Sequence, residues 1–197
     1  MAGNLTEKST VITLGVSDLK ISKLLKDDET GVEYSAPMDI PGVQEITLTL
    51  TVDEKELTGD ATTLAYYSKK KGYDVSFNNA QLSLEVMSLI SGSVLTTNEE
   101  ASVVKSVTVE DGGEDTPSYF ALEFKPEDID GVADYHRQLY KVRGSYDITF
   151  RESDYAICNF NGKGIARTFD KMFGNHTTFA QSTDITQIPP ITAPTTP

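Results

Sequence analysis

Residues 42–92 read GVQEITLTLTVDEKELTGDATTLAYYSKKKGYDVSFNNAQLSLEVMSLISG, and this stretch decides the fold. Ile46, Leu48, Leu50 and Val52 alternate with Thr47, Thr49 and Thr51, the period of two of a half-buried strand. Tyr73, Val75 and Phe77 alternate with Asp74, Ser76 and Asn78 and predict a second strand. Leu82, Val86, Leu89 and Ile90 then fall at helical spacing and stop at Gly92. Asn78 is the expected N-cap, with Gln81 three residues later, close to a capping box. Between the strands, Asp53–Gly72 runs acidic and then basic and reads as a loop too long for a hairpin turn. The unit is a small β-scaffold holding a long arm, and nothing in it reads as a catalytic centre.

The same patterns extend outward. Val16, Leu19, Ile21 and Leu24 predict a first strand over Gly15–Leu25, followed by a turn at Asp27–Gly31. Val103, Val107 and Val109 predict another strand, closed by the turn Glu110–Asp115, and Phe120, Leu122 and Phe124 predict the next. Pro126–Asp134 reads as a polar connection. Gln138–Phe150 is the longest strand, with Tyr140, Val142, Tyr146, Ile148 and Phe150 on one face and a basic row, Arg137, Lys141, Arg143 and Arg151, on the other. Tyr155–Phe160 pairs back with it. Ile165, Phe169, Met172 and Phe173 allow a short helix that Gly174 and Asn175 would end. These elements predict an antiparallel β-sandwich or split barrel with one flanking α-helix over residues 1–180. Residues 181–197, with four prolines, form an extended Pro/Thr-rich arm or linker.

A chain of 197 residues with 38% hydrophobic content suffices for one domain with a core. No apolar run approaches the ~20 residues needed to cross a bilayer, and Met1–Lys8 lacks the basic and apolar segments of a signal peptide. The single cysteine, Cys158, allows no internal disulfide and no thiol cluster, which fits a reducing cytoplasm. The net charge of −13 argues against a surface that holds nucleic acid by neutralising phosphates. The acidity is segmental: residues 26–60 carry a net −8 and residues 110–130 a net −7, leaving about +2 elsewhere.

The candidate chemistry is sparse. His136 and His176 read as surface or loop residues, and no Ser/His/Asp set or nucleophile elbow accompanies them. Asp111–Asp115 could offer oxygen ligands to calcium but lacks the spacing of an EF-hand loop, so it reads as a solvated turn. Asn161–Gly164 is too short for a phosphate loop, and Cys158 reads as an inert buried thiol. No catalytic residue, cofactor or metal is expected. Lys69, Lys70 and Lys71 are either a solvated turn or an intermolecular contact. The basic row of the longest strand poses the same choice, since an acidic partner would fix its orientation and register.

Gly15–Leu24, Asp28–Pro37 and Pro41–Ile46, followed by Glu56–Asp60, Lys71–Ser76, the helix ending at Gly92 and Gln138–Ser145, fall in an order and spacing that resembles the phi13-type major tail protein family of long-tailed phages. The resemblance covers roughly residues 11–160. It implies a non-enzymatic virion subunit that closes into hexameric rings and stacks into a hollow tail tube through which DNA passes without specific binding. It further implies a tape-measure protein and tail-end proteins as partners besides other copies of the chain. By position, Asp53–Gly72 matches the segment that reaches the next ring, with Asp53, Glu54, Lys55, Glu56, Asp60 and Lys69–Lys71 as its charged residues. Arg137, Lys141, Arg143 and Arg151 are the expected subunit seam, and Ile188 and Ile191 the anchors of the C-terminal arm. A net negative subunit suits a conduit with an acidic lumen, because a channel that repels phosphate lets a duplex slide. The other readings are a tail terminator or baseplate ring, and a carbohydrate-binding or adhesive sandwich whose nine tyrosines would stand in for the missing tryptophan.

Overall fold

The computed structural model describes residues 13–59, 62–81, 83–100, 102–128, 134–150, 152 and 156–179. Eleven strands and one helix follow in chain order: β1 (Thr13–Asp28), β2 (Gly31–Tyr34), β3 (Met38–Asp39), β4 (Val43–Gly59), β5 (Thr62–Asn79), α1 (Leu84–Ser91), β6 (Val94–Glu100), β7 (Val103–Glu110), β8 (Phe120–Asp128), β9 (Asp134–Thr149), β10 (Ile157–Gly164) and β11 (Gly174–Phe179). All pairings are antiparallel. The chain is mainly β with one flanking helix, as its alternating patterns predict.

Strand β9 organises the fold. One of its edges pairs with β8 over Arg137–Val142. Its other edge pairs with β11 over Asp134–Leu139 and then with β10 over Val142–Thr149. Within one continuous nine-stranded sheet, the first half of β9 therefore lies among β2, β1, β8 and β11, and the second half in a four-stranded part with β10, β5 and β4. β1 lies against β4 although β8, β9, β10 and β5 separate them in pairing order, so the whole curls back on itself around one core.

That core is built from the alternation. Ile46 and Leu48 on β4, Val75 and Phe77 on β5, and Phe160 on β10 point inward against Leu19, Ile21, Phe120, Leu122 and Leu139. The rings of Phe77 and Phe160 stack at 4.7 Å, and Phe120 meets Phe160 edge-on at 5.5 Å. Gly144 and Gly162 are register partners beneath the Phe160 ring. A Cβ at Gly162 would lie 2.5 Å from that ring and one at Gly144 2.7 Å, so the absent side chains make room for the aromatic. Val86, Leu89 and Ile90 of α1 close the core from one side.

The helix starts later than its sequence suggests. Asn78 remains in β5, held in register with Asn159, and Ser83 is the N-cap, its Oγ accepting from the Val86 amide. Gly92 ends the helix at φ 81°, and its open side lets the Thr116 carbonyl come within 2.2 Å of where a Cβ would stand. Residues 165–173 form no helix. A turn at Thr168–Asp170 leads into β11, and Asp27 ties it down. The Asp27 carboxylate accepts from the amides of Thr168 (2.8 Å) and Phe169 (3.1 Å) and from Lys141 Nζ (2.6 Å). Arg167, 1% exposed, lies 3.6 Å from the Tyr140 ring centroid and pairs with Asp170.

Burial alone would raise the Asp27 pKa, but the bonds from Lys141, Thr168 and Phe169 outweigh it and hold the carboxyl at about 2 against an ordinary 3.8. Its stabilisation is complete above pH ~4 and is lost as pH falls through about 2. Asp27→Asn is therefore expected to lower stability at pH 7 by about 1–2 kcal/mol after solvent screening. Urea titrations at pH 7 and pH 3 should show the variant's deficit shrinking on acidification.

Candidate functional site

The segment read as a loop is a β-hairpin. β4 and β5 stay paired from Val43–Asn79 out to Gly59–Thr62, with Asp53 opposite Lys69, Lys55 opposite Tyr67 and Glu56 opposite Tyr66. The acidic and basic runs, separate in sequence, thus become neighbouring strands of one ribbon. Opposite charges and the β-formers Thr62, Thr63, Tyr66 and Tyr67 support the pairing. Beyond Thr51 and Gly72 the ribbon leaves the body. Every described residue from Thr62 to Lys71 is exposed, and the roughly ten residues of each strand project about 30 Å at ~3.4 Å per residue. Leu57, Leu64, Tyr66 and Tyr67 stand on it at 61, 64, 61 and 49% exposure. Glu54 accepts a bond from the Tyr66 hydroxyl and raises that group's pKa. Asp60 lies outside the described residues.

The second feature is the outward face of the four-stranded sheet from which this arm grows. The register sets its residues in rows across β4, β5, β10 and β9. Thr47, Ser76, Asn161 and Ser145 form one row, with Thr49, Asp74, Lys163 and Arg143 on one side of it. Glu45, Asn78, Asn159 and Asp147 form the row on the other side. Three acids face two bases, and Lys163 lies 3.8 Å from Asp74, so the face is hydrophilic and close to neutral. Both edges of this sheet are open among the described residues. β4 has no strand on its far side, and β9 has none opposite β10 over Arg143–Thr149.

The expected basic row along the longest strand is not one face. Between Leu139 and Val142 β9 advances three residues while β8 advances two, from Leu122 to Phe120, and this bulge breaks the alternation. Arg137 precedes it opposite Phe124 and is 3% exposed, donating to the Asn175 carbonyl at 2.8 Å and lying 5.0 Å from the Tyr73 ring. Lys141 is held by Asp27. Arg143 alone stays on the open sheet, 5.0 Å from the Tyr119 ring. Phe150, placed by its spacing on the same face as Val142, is 74% exposed. Arg151, Ile188 and Ile191 lie outside the described residues.

Among the described residues, a second ribbon, β6–β7, pairs only with itself. Its first strand was illegible in the polar run Thr96–Glu100. Val94, Val103 and Val104 are exposed on it, and its base is clasped to α1 by Ser91 and Ser93, with Ser93 Oγ donating to Asp111 Oδ1 at 2.8 Å. Asp115 Oδ2 accepts from the Gly112 amide, so two carboxylates of the acidic turn are engaged internally. His136 is buried against the Phe179 ring and 3.7 Å from Glu123, so its surface reading fails, whereas His176 on β11 stands exposed, as expected, and meets the Tyr135 hydroxyl on β9. Burial, Arg137 and Lys70 hold the His176 pKa low. Asn161–Gly164 is the end of β10, and Cys158 is half-buried in the same strand. Among the described residues no three His, Cys, Asp or Glu side chains converge on a common point, and no helix is long and apolar enough to cross a membrane.

Comparison with protein-family models gives no match, and no curated protein matches the sequence.

Because the arm touches little of the body, replacing Val52–Lys71 by an Asn-Gly turn is expected to leave the circular dichroism spectrum β-rich. The thermal midpoint should shift by no more than a few degrees. A cooperative transition lost on truncation would mean that the arm is part of the folding unit.

Proposed function

We propose that the protein is a structural subunit of a phage tail tube, closing into hexameric rings that stack through the β4–β5 arm. The observation that carries this reading is the four-stranded sheet with two open edges. β4, β5, β10 and β9 alternate in direction, so rotating a second copy about an axis beside the sheet sets its β9 antiparallel to β4 of the first. Repetition of that one head-to-tail contact closes a ring and leaves no exposed edge. A monomer that kept a 17-residue edge strand uncovered would be prone to uncontrolled pairing.

The faces of the sheet support the same assignment. Its apolar face is filled by Phe77, Phe160 and α1, so the face left for the lumen carries Thr47, Ser76, Asn161 and Ser145 with nearly balanced charge. Such a surface holds a duplex by neither phosphate neutralisation nor base stacking. Acidity, expected in the channel on net charge alone, then resides mainly elsewhere on the subunit. The sequence resemblance to major tail proteins supports the reading from an independent side.

Negative-stain electron microscopy of the purified protein tests it. Rings or tubes with a central hole are expected. A protein that stays monomeric at high concentration and across salt conditions would contradict the assignment.

A further inference from the structure

The arm needs a receptor, and the second ribbon has the matching pattern. Strand β5 outside the body runs from apolar to basic: Leu64, Tyr66 and Tyr67 lie toward the tip and Lys69, Lys70 and Lys71 at the base, with no acid between Thr62 and Lys71. Strand β6 runs from apolar to acidic in the opposite sense, with Val94 and Leu95 at the clasped base and Glu99 and Glu100 at the tip. Both strands are exposed over these lengths. Leu64 to Lys70 and Val94 to Glu100 each span about 20 Å at ~3.3 Å per residue. Within one chain neither β6 nor β7 packs along β4 or β5, so the match is met only between copies.

We propose that one copy's arm lies along the β6–β7 ribbon of another, tip on base and base on tip, so that β5 runs parallel to β6. In that arrangement Leu64 and Tyr66 cover Val94 and Leu95, while Lys69–Lys71 face Glu99 and Glu100. The partner is a second copy of this chain, and the inference rests on the tube reading above. Two further properties fit it. A lone two-stranded ribbon with exposed valines is marginal in water unless covered. The Ser91–Ser93–Asp111 clasp fixes the direction in which the ribbon leaves α1, as a receptor for a rigid arm requires.

Paired cysteines in full-length Cys158→Ala protein test the register directly. Leu64→Cys with Val94→Cys, and separately Lys70→Cys with Glu100→Cys, are expected to give intermolecular disulfide ladders on oxidation of assembled protein, whereas Leu64→Cys with Glu100→Cys gives none. Charge reversal is the second arm. Lys69→Glu/Lys70→Glu/Lys71→Glu should raise the concentration needed for assembly at least tenfold at low salt, and adding Glu99→Lys/Glu100→Lys should restore it. Tubes that form while neither matched cysteine pair cross-links overturn this pairing and leave the tube reading intact. So does a reversed pair that fails to rescue although circular dichroism shows a native fold. Absence of any assembly by the unmodified protein overturns both.

Discussion

Everything in this molecule depends on the change of partners along β9. Over its first half the strand has β8 on one side and β11 on the other; after the bulge at Tyr140–Lys141 it exchanges β11 for β10 and loses β8. Backbone hydrogen bonds must be met on both sides of a buried strand, so the point where β8 ends is the point where an open edge begins. That single event turns one continuous sheet into two differently partnered parts, places Leu139 and Val142 in the core, and leaves Arg143–Thr149 without a strand on one side among the described residues. The Gly144–Gly162 pair sits just beyond it, where Phe160 folds down over bare backbone.

The two projecting ribbons follow from the same economy of pairing. β4 and β5 continue past the core as a hairpin without a further partner among the described residues, where β6–β7 likewise joins no other strand. Neither ribbon has a large apolar surface of its own to pack against, yet both carry exposed Leu, Val or Tyr side chains. Surfaces of this kind are stable additions to a fold when a partner covers them. Lys141 and Arg137, by contrast, are committed within the chain to Asp27 and to the Asn175 carbonyl. They pin the C-terminal segment instead of presenting charge to a neighbour.

The core-forming parts were legible because alternation and burial coincide there. Ile46 and Leu48, Val75 and Phe77, and Phe120, Leu122 and Phe124 occupy the inward positions their spacing predicts, and Gly92 ends the helix as expected. The arm was not legible because alternation beyond Leu48 no longer tracks burial: Leu50 and Val52 keep the pattern but stand 41 and 36% exposed. A ribbon held by cross-strand pairs can be as polar as a loop, and only the β-formers Thr62–Tyr67 carried a signal against one. The basic row failed for a different reason. A bulge shifts the side-chain period by one residue, and nothing in Gln138–Arg143 announces it. The two assembly surfaces depend on register between strands far apart in sequence, which no local pattern encodes.

The central claim is that the open edges of the four-stranded sheet are closed by other copies of the chain. Hydrogen–deuterium exchange of dispersed and assembled protein measures those edges directly. Amides of Glu45–Thr51 on β4 and Arg143–Thr149 on β9 that point away from their intrachain partners are predicted to exchange quickly in the dispersed subunit. On assembly they should slow by at least a hundredfold. Rapid exchange persisting at both edges in the assembled state would contradict edge-to-edge closure, whatever shape the assembly takes.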